Sequence, residues 1–208
     1  MMTSFSREWL KWSALLLMTG DHVNKVLLAG SHPWLSEAAR VVFPIFAVIL
    51  VYNLHAHPDP QAMRRAMHRL LIAALIAQPF HAWAFGYWLP FNVLATLWLG
   101  LRIVHAPLHV GVLLFVFAGF FVDYQWSGLL VILGASHMLR HPRTWHGPAL
   151  LGLGVTSLWF VNGNAWAVLA LPLIWLLRHV DGTFPRSRWT FLGYYVGHLA
   201  LLSIADFL

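Results

Sequence analysis

Apolar runs of roughly membrane-spanning length recur along the sequence, separated only by short polar or proline-containing breaks. A helix needs roughly 20 residues to cross the hydrocarbon of a bilayer, and there it must satisfy its own backbone polar groups. The pattern therefore predicts an all-α polytopic membrane helical bundle of about nine transmembrane helices. The expected spans are 9–29, 36–54, 66–86, 91–105, 108–122, 126–140, 147–161, 164–179 and 189–207. Several are short, which tilted, kinked or partly re-entrant helices would accommodate. Composition agrees: the 208 residues are 60% hydrophobic and only 10% charged. Mean hydropathy is +0.69. Both values are out of range for a soluble domain of this length.

The net charge of +6 would suggest nucleic acid in a soluble protein, but its distribution points elsewhere. Alternating the loops puts Arg7, Lys11, Arg64, Arg65, Arg69, Arg102, Arg140, Arg143, Arg178, Arg186 and Arg188 on one side. Only Lys25 and Arg40 fall on the other. This is the positive-inside pattern, with the N-terminus cytoplasmic and the C-terminus outside, and dropping one helix would scatter it. The first apolar run carries Asp21, His22 and Lys25 and lacks a small-residue cleavage pattern, so a resident helix is expected rather than a removable signal peptide. Zero cysteines exclude disulfides, thiolate catalysis and cysteine metal sites. With no linker, low-complexity tract or repeat, residues 1–208 read as one membrane domain.

Ionisable groups within hydrocarbon cost roughly 2.5–3.5 kcal/mol each on insertion scales, so they face a protein interior or a water-filled cavity. Here they gather toward the outer side: Asp21, His22 and Lys25 on the first span, Glu37 and Arg40 opening the second, Gln78 and His81 on the third. Asn92 opens the fourth, Asp123 closes the fifth, Asn162 and Asn164 flank an outer turn, and His198 lies on the last. The expectation is a polar chamber open to the outside above a basic inner surface. Asp21 and Lys25, four apart, can pair along one helix face, whereas Asp21 and His22 point roughly 100° apart. Asp21 should therefore bond Lys25 or Arg40 and leave His22 facing the cavity. Tyr194 and Tyr195 precede His198 by four and three residues and can share its side, and Gly193 and Gly197 would let that helix approach a neighbour closely. A Tyr/His face is also an ordinary packing surface, and a salt-bridge network is the structural alternative for Asp21, His22 and Arg40. His55 with His57, or His137 with His141, have metal-compatible spacings, but they lie on the basic side and no metal site is expected. Ser136 beside His137 does not make a nucleophile and base, because helix neighbours diverge. Most tryptophans read as lipid-facing or interfacial anchors.

The segments LKWSALLLMTGDHVNK, ARVVFPIFAVIL, MHRLLIAALIAQPFHAWAF and FNVLATLWLG, in that order, resemble the TraX family of integral membrane proteins, the conjugative-pilin N-acetyltransferases, and their TrbP-like relatives. Further on, VDYQWSGLLVIL and FLGYYVGHLALL are similar to the family's Asp-Tyr-x-x-x-Gly segment and its terminal Tyr and His helix. The sequence departs from the family's usual pattern at Gly20 and around Gly197. The resemblance implies a bacterial inner-membrane enzyme that moves an acetyl group from acetyl-CoA to an amine, in TraX the N-terminus of a processed pilin subunit.

Given that chemistry, Arg64, Arg65, Arg69, Arg140 and Arg143 are the candidates to hold the phosphates of acetyl-CoA, since forked guanidinium donors suit phosphate. They serve equally as topology determinants. His22 can take the acceptor's proton or carry the acetyl group itself. Arg40, Asn92 or Tyr194 can stabilise the oxyanion, with Asp21 holding Arg40 or Lys25. Catalytic roles thus fall to His22, Asp21, Arg40 and His198. Substrate contacts fall to Lys25, Gln78, Asn92, Asp123, Tyr194 and Tyr195. The partners expected are membrane lipids and pilin or another exported acceptor, with a lipid amine or a surface sugar hydroxyl open as alternatives, and no nucleic acid. Two other classes remain: a proton-coupled solute transporter, against which no inverted repeat is found, and a non-catalytic assembly factor for pilin subunits.

Overall fold

In a computed structural model, residues 2–56, 59–183 and 190–207 of the chain are described. Helix α1 (Ser4–Val26) is followed by the short α2 (Pro33–Ala38), which passes through one 3-10 turn into α3 (Val42–Ala56). Then come α4 (Pro60–Phe85), α5 (Val93–His105), α6 (Leu108–Leu113), α7 (Gln125–Arg140) and α8 (His146–Ser157). The remainder is α9 (Trp159–Asn162), a 3-10 turn, α10 (Ala170–Leu177) and α11 (Thr190–Phe207). Among the described residues backbone pairing outside helices and turns reduces to one isolated bridge, Phe91 with Val122.

Local chemistry sets the helix ends. The Thr3 hydroxyl accepts the Ser6 N–H at 3.1 Å to open α1. Asp59 accepts the N–H groups of Gln61 and Ala62 and Pro60 occupies the first turn of α4, where its missing N–H costs nothing. Gly86, at φ +77°, ends α4 in the left-handed region. The apolar segment predicted at 108–122 is helical but irregular, because a π turn over Leu114–Ala118 and a 3-10 turn over Gly119–Phe121 follow α6.

α3 is the axis of the bundle. Phe43, Ile45, Ala47 and Ile49 are all essentially inaccessible, so the helix is wrapped on nearly every side. The antiparallel pair α7 and α8 packs most tightly, since a Cβ at Gly134 or Gly154 would run into the backbone of the facing helix. Gly193 and Gly197 behave otherwise, and the close approach expected of them does not occur. A Cβ at either meets nothing within 4 Å. Both lie on the exposed face of α11, whose buried side is carried by Tyr195, His198 and Leu199.

The protein is thus an all-helical bundle, and each predicted apolar segment falls on helical structure. By length and composition one stretch, Pro33–Ala56, is long and apolar enough to cross a membrane. The apolar helices Val93–His105, Leu108–Phe121, Trp166–Leu177 and Phe191–Ala205 are shorter. α1 and α4 have 23 and 26 residues, but polar side chains within them lower their hydropathy.

Candidate functional site

The last turns of α1 and α4, the entry to α3 and the turns before α5 and α7 converge at one end of the bundle on a cavity of about 460 Å³. Asp21, His22, Lys25, Arg40, His81, Asp123, Asn162 and Tyr195 all line it. Residues scattered over more than 170 positions of sequence therefore share one chamber, as the clustering of polar groups suggested.

His22 is held by a partner from the other end of the chain. Its Nδ1 lies 2.8 Å from His198 Nε2, with the rings stacked at 5.0 Å and 13°. His198 Nδ1 lies 3.0 Å from the Tyr194 carbonyl oxygen, which can only accept. With both rings neutral the protons are fixed: His198 donates from Nδ1, so its Nε2 accepts from His22 Nδ1–H. His22 Nε2 then carries the lone pair and has no hydrogen-bond partner among the described residues. Tyr194 stacks on His198 at 5.4 Å and its hydroxyl meets Thr19 Oγ1 at 2.7 Å. Tyr195 sits edge-on to His198 at 5.5 Å.

Asp21 pairs with Lys25 at 2.7 Å. Of the two partners expected for it, Arg40 is not engaged. Instead Asp21 Oδ1, Arg40 Nε, His81 Nδ1 and both carboxamide atoms of Asn162 are buried without a partner among the described residues. Four residues with orphaned polar atoms thus line one cavity. A folded protein rarely leaves such groups unpaired unless something else satisfies them.

Asp123 is anchored by its backbone. Its N–H donates to the Phe91 carbonyl at 2.8 Å, and its own carbonyl accepts the Thr96 hydroxyl at 2.6 Å. Burial in this connection pushes its carboxyl up to about 6, against the Tyr124 N–H and the charges of Lys25 and Arg40, which favour the anion. Tyr124, at φ +59°, turns the chain into α7 and lays its ring on Phe43 at 4.3 Å.

Gln78 and Asn92 are placed differently from the substrate role expected of them. The Asn92 carboxamide N–H donates to Gln78 Oε1 at 2.8 Å and to the Ala74 carbonyl at 2.9 Å, while Asn92 Oδ1 caps α5 through the Leu94 N–H. Gln78 Nε2 donates to the Trp88 carbonyl at 2.8 Å. This network joins α4 to α5 and neither side chain lines the chamber. Tyr194 likewise supports His198 from outside the cavity.

The basic residues divide. Arg64 and Arg140 line a second cavity, of about 570 Å³, at the opposite end of the bundle, together with Arg102, His55 and His105. Arg140 donates to His105 Nε2 at 3.2 Å. Arg65 instead pairs with Asp59 at 3.2 Å on an exposed surface. Arg69 and Lys11 line a smaller cavity of about 190 Å³, and Arg143 is exposed away from these cavities. His57, Arg186 and Arg188 lie outside the described residues. His137 and His141 are neighbours, with ring centroids 4.6 Å apart. Among the described residues no group of three or more His, Asp or Glu could hold a metal ion.

Tyr87 and Tyr124, which also line the chamber, and the contact of His22 with His198 were not evident from sequence. The Asn92 cap was available to it, since an asparagine directly before an apolar helical run is an N-cap signature.

No solved structure matches this chain. It is 33% identical over 88 residues to protein TraX of Escherichia coli (strain K12), an alignment covering 42% of this chain and 34% of that protein. The match therefore spans about a third of the relative's length. The profile of the TraX protein family matches residues 6–205. The chain belongs to the TraX family.

Proposed function

We propose that this protein is a membrane-embedded acetyltransferase of the bacterial inner membrane. It moves an acetyl group from cytoplasmic acetyl-CoA to an amine, in the first place the N-terminus of a pilin subunit or similar exported protein. The observation that carries the reading is the chamber: an imidazole nitrogen with its lone pair presented, beside several buried polar groups without a partner among the described residues. Family membership supports the same chemistry.

Membrane embedding is supported by the surface. Leu16, Leu108, Phe160 and Leu201 are each 70% exposed or more, among many other bare apolar side chains. A water-soluble monomer rarely bares so many large apolar side chains, and lipid would cover them. About nine crossings with the N-terminus inside would agree with the charge distribution.

The donor's phosphates are assigned to Arg64, Arg102 and Arg140, around the cavity at the basic end. Arg65 and Arg143 are less suited, one being paired with Asp59 and the other remote. Phe46 lines both the chamber and the smaller cavity that holds Lys11 and Arg69, so that smaller cavity adjoins the chamber of His22 at Phe46. In the chamber, His22 Nε2 takes a proton from the acceptor ammonium. The neutral amine attacks the thioester carbonyl carbon, a C–N bond forms, and Arg40 faces the oxygen that gains charge. The C–S bond then breaks, and the CoA thiolate leaves with the second proton of the nitrogen. Attack by His22 itself, giving an acetyl-imidazole intermediate, uses the same geometry in two steps. His198 sets the tautomer that makes either route available.

The test is incubation of the purified full chain with radiolabelled acetyl-CoA and a peptide with a free N-terminus. Label on the peptide amine, with CoA released in equal amount, is expected. Failure to bind or consume acetyl-CoA would contradict the reading and favour a carrier or assembly role.

A further inference from the structure

Two polar side chains of the chamber have no part in the chemistry of His22. Asn162 ends α9 at 8% exposure, and its Oδ1 and Nδ2 are both buried without a partner among the described residues. One oxygen of Asp123 accepts the Tyr124 N–H at 3.0 Å. Among the described residues no lysine, arginine or histidine forms an ion pair with its carboxylate, since the nearby Lys25 is paired to Asp21. The fold brings the two together. α7 and α8 run antiparallel, and the Ser127 hydroxyl donates to the Ser157 carbonyl at 3.0 Å. Asp123 stands four residues before the first of these and Asn162 five after the second. Both therefore lie at the same end of the helix pair and line the same cavity.

We propose that Asp123 and Asn162 form the acceptor subsite of the chamber and that it recognises a peptide N-terminus. This rests on the acetyltransferase reading above. An unpaired carboxylate in a partly desolvated cavity is suited to an ammonium group. A carboxamide with both atoms unsatisfied is the hydrogen-bonding complement of a peptide unit: Oδ1 accepts its N–H and Nδ2 donates to its carbonyl. An alkyl or lipid amine satisfies Asp123 but leaves Asn162 orphaned. A sugar hydroxyl offers no positive charge to Asp123. Buried groups left unpaired by the wrong substrate are what give a polar site its discrimination. The subsite holds the amine beside His22, which takes its proton as described.

The test compares two amines, alanyl-glycyl-glycine amide and butylamine, as acceptors of radiolabelled acetyl from acetyl-CoA with the full chain in detergent. In the native protein the tripeptide should be preferred in kcat/KM by about tenfold or more, the worth of one to two buried hydrogen bonds. Asn162→Ala should shrink that ratio toward one. Asp123→Asn should raise KM for both amines by roughly tenfold while moving kcat less. As a check independent of variants, the N-acetylated tripeptide should compete with butylamine transfer in the native protein where N-acetylbutylamine at equal concentration does not. Equal losses for both amines in Asn162→Ala and Asn162→Ser, or no preference and no competition in the native protein, would overturn the subsite while leaving the acetyltransferase standing. Transfer to neither amine, with acetyl-CoA unconsumed, would overturn both.

Discussion

The two ends of this bundle hold polar residues in opposite ways. At the basic end, Arg64, Arg102 and Arg140 are exposed around an open cavity, where water solvates them until a ligand arrives. At the other end Arg40, His81, Asp21 and Asn162 keep polar atoms buried and without a partner among the described residues. Solvated charge of the first kind costs little and contributes little to stability. Buried unpaired groups cost free energy that folding must absorb, and they persist where binding or reaction returns it. The contrast separates a surface suited to recruiting an anion from a chamber suited to chemistry.

That contrast can be broken by substitution. The largest effect is expected at Arg40 in the chamber: Arg40→Leu should lower kcat for acetyl transfer by about 10²–10³ with little change in KM for acetyl-CoA, the loss typical of one oxyanion donor. Steady-state kinetics on the purified variant would check it, and a change confined to KM would remove Arg40 from the reaction. His198→Ala frees the His22 tautomer and should lower kcat by roughly tenfold or more while leaving acetyl-CoA affinity in place. Among the structural residues, Asn92→Ala removes the two buried side-chain hydrogen bonds to Gln78 Oε1 and the Ala74 carbonyl, leaving Gln78 Oε1 the Asn92 backbone N–H, and uncaps α5. A destabilisation of about 2 kcal/mol is expected, read as a lower melting temperature in detergent with kcat retained in the folded fraction. At the basic end, Arg64→Ala, Arg102→Ala and Arg140→Ala should each raise KM for acetyl-CoA by about fivefold, as a solvated charge-assisted contact is worth, with kcat near native. A collapse of kcat there would contradict the division of labour. Smallest of all, Gly197→Ala should change stability by no more than about 0.5 kcal/mol, because its face is open.

Much of the fold was legible because hydropathy is a local property. Each apolar run became helix, and Asp21, His22, Lys25, Arg40 and His81 of the first three apolar segments met in one chamber because all lay toward the same predicted side. What escaped depended on long-range geometry. His22 and His198 are 176 positions apart, and nothing in either neighbourhood specifies that Nδ1 of one meets Nε2 of the other. Gln78 and Asn92 read as site residues since both are polar and outward, yet their hydrogen bonds are spent on each other and on backbone, and only packing decides that. Gly193 and Gly197 have the right spacing for close packing but face away from it, because the bulk of Tyr195 and Leu199 fixes the rotation of α11. The break in the segment after Leu113 is equally invisible, as Leu114–Ala118 is apolar throughout whatever its helical pitch.

In the proposed reaction His22 Nε2, with its lone pair set by His198, drives acetyl transfer in a chamber remote from where the donor's phosphates bind. The most direct measurement is single-turnover transfer of radiolabelled acetyl from bound acetyl-CoA to a peptide amine, with His22→Gln beside the native protein. The variant should bind acetyl-CoA as the native protein does and transfer label at least about 10²-fold more slowly, the usual contribution of a positioned base. Transfer at the native rate by the His22→Gln protein would contradict it.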